Sequence, residues 1–242
     1  MKSIEMSQKD ATPLVIRFAK QGGWLGEHVS ARVMPPVLPA HDKIEELAAS
    51  TNAAGARPLW EGYRKVKSYP RSTRGTRNSN QVRTAHRIGR FYSWLAAARR
   101  DPTIVEFGTA FGVSGMFWLA GIGKGHLFTF EPNADWASFA RENLSAIASN
   151  FTLTVDTFEA AGPSLIGPGT ADIAFIDAIH TGDFVRQQLR ILRPMLKPGA
   201  LVLFDDIGFS DDMKECWQAI AADPSFISAA EIANRVGIVE LP

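Results

Sequence analysis

The 242-residue chain has one cysteine, Cys216. No disulfide can form within it, which fits a reducing compartment, and the expected location is the cytoplasm. No apolar run is long enough to cross a bilayer, and the opening MKSIEMSQKD lacks the apolar core of a signal peptide. A membrane is therefore not an expected partner. Internal repeats, low-complexity tracts and nucleic-acid-binding motifs are also missing. So is G-x-G-x-x-G, the dinucleotide fingerprint, which disfavours a dehydrogenase.

What is present is the composition of a globular protein with a full core, 45% hydrophobic and 21% charged. The length suits one α/β domain with an extension, or at most two small domains. Charge is unevenly spread. Residues 1–100 carry a balance of +11 and residues 101–242 one of −10, and between Arg57 and Arg100 twelve basic residues face Glu61 alone. One reading is a basic arm for an anionic partner such as nucleic acid. The other, which the near-cancellation favours, is a basic segment folded over the acidic part of its own subunit or a neighbour's, so that a homodimer is conceivable.

Residues 1–40, punctuated by Gly22, Gly23, Pro35, Pro36 and Pro39, predict loops with one short strand or helix. His41–Ser50 has helical spacing, and polar Ser68–Asn80 predicts a loop and a candidate lid. Ser79 or Asn80 is placed to cap a helix running to about Arg100. Beyond Asp101, strands are predicted at 103–107, 126–131, 152–156, 172–177, 200–205, 226–232 and 235–241. Helices are predicted near 112–121, 134–149, 182–196 and 210–222, and the last two strands form a hairpin about Ala233 and Asn234.

The richest stretch is IVEFGTAFGVSG, Ile104 to Gly115, followed by FTFEP ending in Glu131 and Pro132. It reads as strand, glycine turn, helix, then a second strand tipped by an acid. A glycine turn admits a ligand against the backbone, and the acid suits both hydroxyls of a ribose. Ala110 stands where a pyrophosphate-binding turn needs its middle glycine. Glu106 would repel a pyrophosphate but suit a cationic ligand. The plain alternative is an ordinary βα turn whose glycines relieve crowding.

The pattern E-x-G-x-x-x-G-x-S resembles the first motif of the class I S-adenosylmethionine-dependent methyltransferases. That resemblance covers residues 79–242 and implies a Rossmann-like α/β fold, a seven-stranded mostly parallel sheet closed by an antiparallel hairpin. Residues 1–78 would form a mostly helical extension or lid. By the same resemblance, Glu106, Gly108, Thr109, Gly112 and Ser114 would line the methionine part of S-adenosyl-L-methionine, and Glu131 would hold its ribose. Asp156, Thr157 and Phe158 would border the adenine, although Asp156 reads equally as a loop acid. Trp136 is either an adenine contact or a core residue.

In an open parallel sheet, ligands bind beyond the C-terminal strand ends. AFIDAIH places Asp177 at one such end with His180 three residues on, and LVLFDDIGF places Asp205 and Asp206 at the next. This resembles the catechol-type, divalent-cation-dependent O-methyltransferases, which implies that Asp177, Asp205 and Asp206 hold Mg²⁺ or a similar cation. His180 stands where that family commonly has a lysine. It could act as general base, with Asp177 beside it, or be a solvent-facing or substrate-positioning loop histidine. Asp205 and Asp206 could instead form a turn, Asp211 and Asp212 being better placed to cap the following helix.

The resulting expectation is methyl transfer to a hydroxyl of a small molecule. An RNA methyltransferase using residues 57–100 and a cofactor-binding protein without turnover are the alternatives. Gln81, Arg83, His86, Trp60, Tyr63 and Tyr69 are candidates for covering the cofactor or building the acceptor pocket.

Overall fold

From Thr103 onward each buried apolar run becomes a strand, and each segment with one apolar face becomes a helix packed on the sheet. The computed structural model describes residues 12–66 and 75–242. In chain order the elements are β1 (Leu14–Lys20), α1 (Gly23–His28), β2 (Arg32–Val33), α2 (Ala40–Ala53), β3 (Arg57–Pro58), α3 (Glu61–Lys65), β4 (Thr76–Arg77), α4 (Ser79–Val82) and α5 (His86–Ala98). There follow β5 (Thr103–Phe107), α6 (Val113–Gly121), β6 (His126–Phe130), α7 (Ala134–Ser145), β7 (Phe151–Thr154), α8 (Phe158–Leu165), β8 (Ala171–Ile176) and α9 (Gly182–Leu192). The chain closes with β9 (Leu196–Phe204), α10 (Asp211–Ala222), β10 (Ser228–Ile232) and β11 (Val236–Glu240).

The main sheet runs β2-β1-β10-β11-β9-β8-β5-β6-β7. Strands β7, β6, β5, β8 and β9 are mutually parallel, and β11 enters antiparallel beside β9. This is the expected seven-stranded sheet with its hairpin, extended at one edge by β1 and β2. Leu14 and Ile16 are buried while Val15 and Arg17 are exposed, the period of a strand with one covered face. Antiparallel pairing of Ile16 with Ile232 then continues the sheet across more than 200 residues of chain.

Side chains alternating along the strands build two cores. Ile104, Ile173, Phe175, Leu201 and Leu203 point to α5 and α6. Val105, Phe107, Ala174, Ile176, Val202 and Phe204 point to the layer containing α8, α9 and α10. The first core is aromatic: Tyr92 stacks on Trp118 with centroids 4.5 Å apart, and both meet Phe175.

Three local expectations change. The first forty residues, expected as loops with one short strand or helix, hold β1, α1 and β2 among their described residues, because the alternation of Leu14 and Ile16 with exposed neighbours pairs this stretch with the sheet edge. The helix expected from about residue 80 to Arg100 is broken into α4 and α5 by extended backbone at Arg83 and Ala85. Its cap is Asn78, which forms a reciprocal capping box with Gln81, rather than Ser79 or Asn80. Helix α8 was not expected, because Gly162 and Pro163 disguise it; Thr157 caps it by accepting the Ala160 N–H. Most of the candidate lid, residues 68–74 with Tyr69, lies outside the described residues, as does the N-terminal decapeptide. Among the described residues no helix is long and apolar enough to cross a membrane.

Candidate active site

Gly108 ends β5 at φ +86°, and a Cβ there would lie 2.1 Å from the Asp177 carbonyl oxygen. Only glycine lets the two strand ends approach so closely. The turn continues through Ala110 at φ +47° to Gly112 at φ +87°, where α6 begins. The Gly108 and Thr109 N–H groups both donate to the Phe130 carbonyl, and the Ala110 N–H donates to Oε2 of Glu131. Glu131 accepts the Asn133 N–H through Oε1. The turn after β5 and the acid after β6 are thus one hydrogen-bonded unit.

A cavity of about 390 Å³ opens over these strand ends, lined among others by Gly108, Ala110, Glu131, Asp177, His180 and Asp206. Two smaller recesses continue it. One lies against Thr109, Val113 and Ser114, facing Val82, Arg83 and Thr84 where the backbone separates α4 from α5. The other runs between Phe107, Phe130, Thr157 and Phe158, under Trp60 and Tyr63. Gly108 borders all three, and Glu131 borders the central cavity and the second recess.

The remaining sequence candidates fall around this groove except Asp156 and His86. Glu106 is fully buried beneath the turn, where Oε2 accepts the Thr129 hydroxyl and Oε1 has no partner among the described residues. Thr109 joins that chain by a hydrogen bond with Thr129. Gly112 sits against the Ala140 backbone below the groove. Asp156 is exposed and accepts the Thr157 N–H, outside all three recesses. Phe158 is buried and stacked on Phe107 with centroids 3.8 Å apart. Trp136 stacks on Phe111 and borders the cavity. Tyr63 and Gln81 line the cavity, whereas His86 turns away to pair with Glu45.

Electrostatically the groove is a carboxylate socket. Burial pushes Glu106 up to about 7, opposed by the hydrogen bond from Thr129. Burial likewise pushes Glu131 to about 7 against two backbone hydrogen bonds, with Glu106 adding repulsion. Asp177 keeps 16% side-chain exposure toward the cavity, yet the surrounding protein and then Asp205 and Asp206 push it well above the usual carboxylate range. Burial and Asp205 raise Asp206, while His180 and Arg235 oppose the rise.

His180 stands between two of these acids. Its Nε2 is 3.7 Å from Asp177 Oδ1 and 3.7 Å from Asp206 Oδ2, and its ring packs against Phe209. Asp206 reaches this position from left-handed backbone, φ +50°, stabilised by the Phe209 N–H donating to its carbonyl.

Arg235 was absent from the sequence reading, and it alters the cluster. Its Nε and Nη2 donate to Asp205 at 3.1 and 2.8 Å, and Nε lies 3.2 Å from Asp206 Oδ1. The pairing of Gly237 with Phe204 and Ile238 with Leu203 brings Arg235 opposite Asp206. The two-residue turn at Ala233 and Asn234, both at positive φ, makes that register possible. Asp205, expected as a metal ligand, is therefore one half of a fork-to-fork ion pair. Among the described residues no group of three or more His, Cys, Asp or Glu is arranged to hold a metal ion. With a guanidinium on Asp205 and Asp206, the expected triad Asp177, Asp205 and Asp206 does not fit a divalent cation.

The parallel sheet with an antiparallel seventh strand, and a glycine turn joined to an acid at the next strand end, define the class I S-adenosylmethionine-dependent methyltransferase fold. Residues 105–207 match the family model described as a methyltransferase domain. Among solved structures the chain is similar to cofactor-bound Rv0187 from MTB, with 20% identity, 85% of this chain and 98% of that chain covered, and a TM-score of 0.58. It is similar to the O-methyltransferase TomG from Streptomyces achromogenes, involved in tomaymycin synthesis and solved with SAM, at 17% identity, 83% and 98% coverage and a TM-score of 0.57. The O-methyltransferase from Bacillus cereus in complex with SAH aligns at 16% identity, 86% and 93% coverage and a TM-score of 0.56. No curated protein matches the chain.

Proposed function

We propose that the protein transfers a methyl group from S-adenosylmethionine to a hydroxyl oxygen of a small molecule, with His180 as the proton acceptor. The observation that carries this reading is His180 Nε2 set 3.7 Å from both Asp177 and Asp206 on the wall of the cavity bordered by Gly108 and Glu131. A cationic cofactor fits the groove. Glu106, Glu131 and Asp177 are all held above their ordinary range by burial, and a ligand with a sulfonium and an ammonium relieves that cost. When bound, S-adenosylmethionine supplies the electrophilic methyl.

The chain's own residues do the rest. Glu131 would hold the ribose, and the recess beside Thr109 and Ser114 would take the methionine end. The recess between Phe130 and Phe158 would take the adenine. Leu59, Tyr63, Trp136 and Phe209 wall the central cavity and exclude water from the acceptor. His180 takes the hydroxyl proton at Nε2, and the imidazolium formed is paired with Asp177 and Asp206. No step calls for a metal. The buried, unpaired Cys216 supports a cytoplasmic setting.

The test is transfer of labelled methyl from S-adenosylmethionine to a panel of phenols, sugars and hydroxy acids, with S-adenosylhomocysteine affinity measured in parallel. Transfer to a hydroxyl that is lost in Asp177→Ala while S-adenosylhomocysteine still binds supports the reading. Full activity in that variant, or no binding of S-adenosylhomocysteine by the wild type, overturns it.

A further inference from the structure

Arg235 reaches the reactive end of the cavity from the turn between β10 and β11. Nε and Nη2 are committed to Asp205, which is only 6% exposed, and Nε also meets Asp206. Nη1 carries no hydrogen bond among the described residues, and the side chain is 39% exposed on the cavity wall. A guanidinium cannot be deprotonated in a protein, and here two carboxylates hold it on the cavity wall. A charged group fixed this way supplies what a bound cation would: positive charge beside the acceptor oxygen, with donors left to hold it.

We infer that Arg235 is the resident cation of this site, occupying the carboxylate cluster in place of a divalent metal and presenting Nη1 to an oxygen of the acceptor. The inference takes its acceptor from the methyl-transfer reading; its account of what fills the cluster stands without it. It has a chemical consequence for the acceptor class. A metal binds two neighbouring oxygens as a chelate, whereas Nη1 gives directional N–H donors, so a lone hydroxyl suffices and a vicinal diol has no special advantage.

A second consequence is that the metal site is latent. Removing the guanidinium frees Asp205 and Asp206 to close on Asp177, and the three carboxylates so released are the oxygen donors a hard cation takes, a set that is not assembled while Arg235 holds two of them apart.

The experiment is calorimetric titration of Mn²⁺ into wild type, Arg235→Ala and Arg235→Ala/Asp205→Ala, each with and without saturating S-adenosylhomocysteine. Wild type should show no saturable site. Arg235→Ala should bind one Mn²⁺ at least tenfold more tightly than wild type, and the double variant should lose that site. Stoichiometric Mn²⁺ binding by wild type would overturn the inference without recourse to any variant. So would an Arg235→Ala protein that melts cooperatively yet binds Mn²⁺ no better than wild type. Arg235→Gln keeps the volume and a donor if the alanine variant does not fold, and the same tenfold gain is required of it. The S-adenosylhomocysteine arms separate the two readings: no nucleoside binding sinks methyl transfer, while the metal comparison still decides the place of Arg235.

Discussion

The Ala110 N–H donates a 2.8 Å hydrogen bond to Oε2 of Glu131, across 21 residues of sequence. Ala110 is in left-handed backbone, φ +47°, where an L-residue pays a steric cost of roughly 1 kcal/mol. The bond holds that conformation and aims Glu131 at the groove. Glu131→Ala should therefore weaken S-adenosylhomocysteine binding by about 10- to 100-fold, or roughly 1.4–2.8 kcal/mol. Calorimetry checks it; affinity within threefold of wild type would remove Glu131 from the cofactor site.

The neighbouring glycine behaves differently. Gly108→Ala forces a Cβ to 2.1 Å from a backbone carbonyl at φ +86°, and neither strand end can yield cheaply. Loss of cooperative folding, or of all cofactor binding, is the expected outcome. Ala110→Gly relieves left-handed strain at the cost of chain entropy, so its melting temperature should stay within about 3 °C of wild type. Equal tolerance of both changes in thermal melts would show that the turn is not so constrained.

The titration of Glu106 and Glu131 sets a pH dependence. Both are raised to about 7 from the usual 4.5, so the folded state binds more protons than the unfolded chain between those values. Their contribution is present below about pH 4.5 and is lost as pH rises through 7. Asp177 and Asp206 shift in the same direction. His41, lowered to about 4 chiefly by burial, opposes them only below its ordinary 6.5. Between pH 6.5 and 8 the ligand-free protein should lose about 4 °C in melting temperature. Saturating S-adenosylmethionine, whose positive charge favours the ionised carboxylates, should flatten the slope. A melting temperature that rises over this range would contradict the burial of these acids.

His180→Ala removes the proton acceptor without touching the recesses assigned to the cofactor. Turnover should fall about 10²- to 10⁴-fold while S-adenosylhomocysteine affinity stays within twofold. If kcat is unchanged and only KM for the acceptor rises, His180 positions the substrate and another group takes the proton.

Much of this site was legible because strand ends are written locally. Gly108, Glu131, Asp177, His180, Asp205 and Asp206 each follow a buried apolar run, Glu106 lies one residue inside the end of β5, and a parallel sheet brings such ends together. What escaped depends on partners distant in sequence or on muted signals. Arg235 counts only through its register against Asp206. The pairing of β1 with β10 spans almost the whole chain. The break at Arg83–Ala85 contains no glycine or proline to announce it, and α8 contains both.

Four of the described arginines of the basic segment, Arg83, Arg87, Arg90 and Arg99, are engaged within the chain. Arg83 pairs with Glu45, and Arg87 donates to the Thr12 carbonyl. Arg90, only 4% exposed, donates to the Pro35 carbonyl. Arg99 reaches the Gly199 carbonyl and lies 4.4 Å above the Trp24 ring. Three of these side chains tie residues 12–45 to the α4–α5 stretch and Arg99 ties the end of α5 to β9, and a cation used in this way is withdrawn from a phosphate backbone. Arg90→Ala leaves a buried carbonyl short of its donor, so stability should fall by about 1–3 kcal/mol. Arg100→Ala, at an exposed position, should stay within about 0.5 kcal/mol. Urea melts read both. If Arg90→Ala were neutral and instead abolished salt-sensitive binding of unrelated RNA, the segment would be a nucleic-acid surface and the charge asymmetry would have the other meaning.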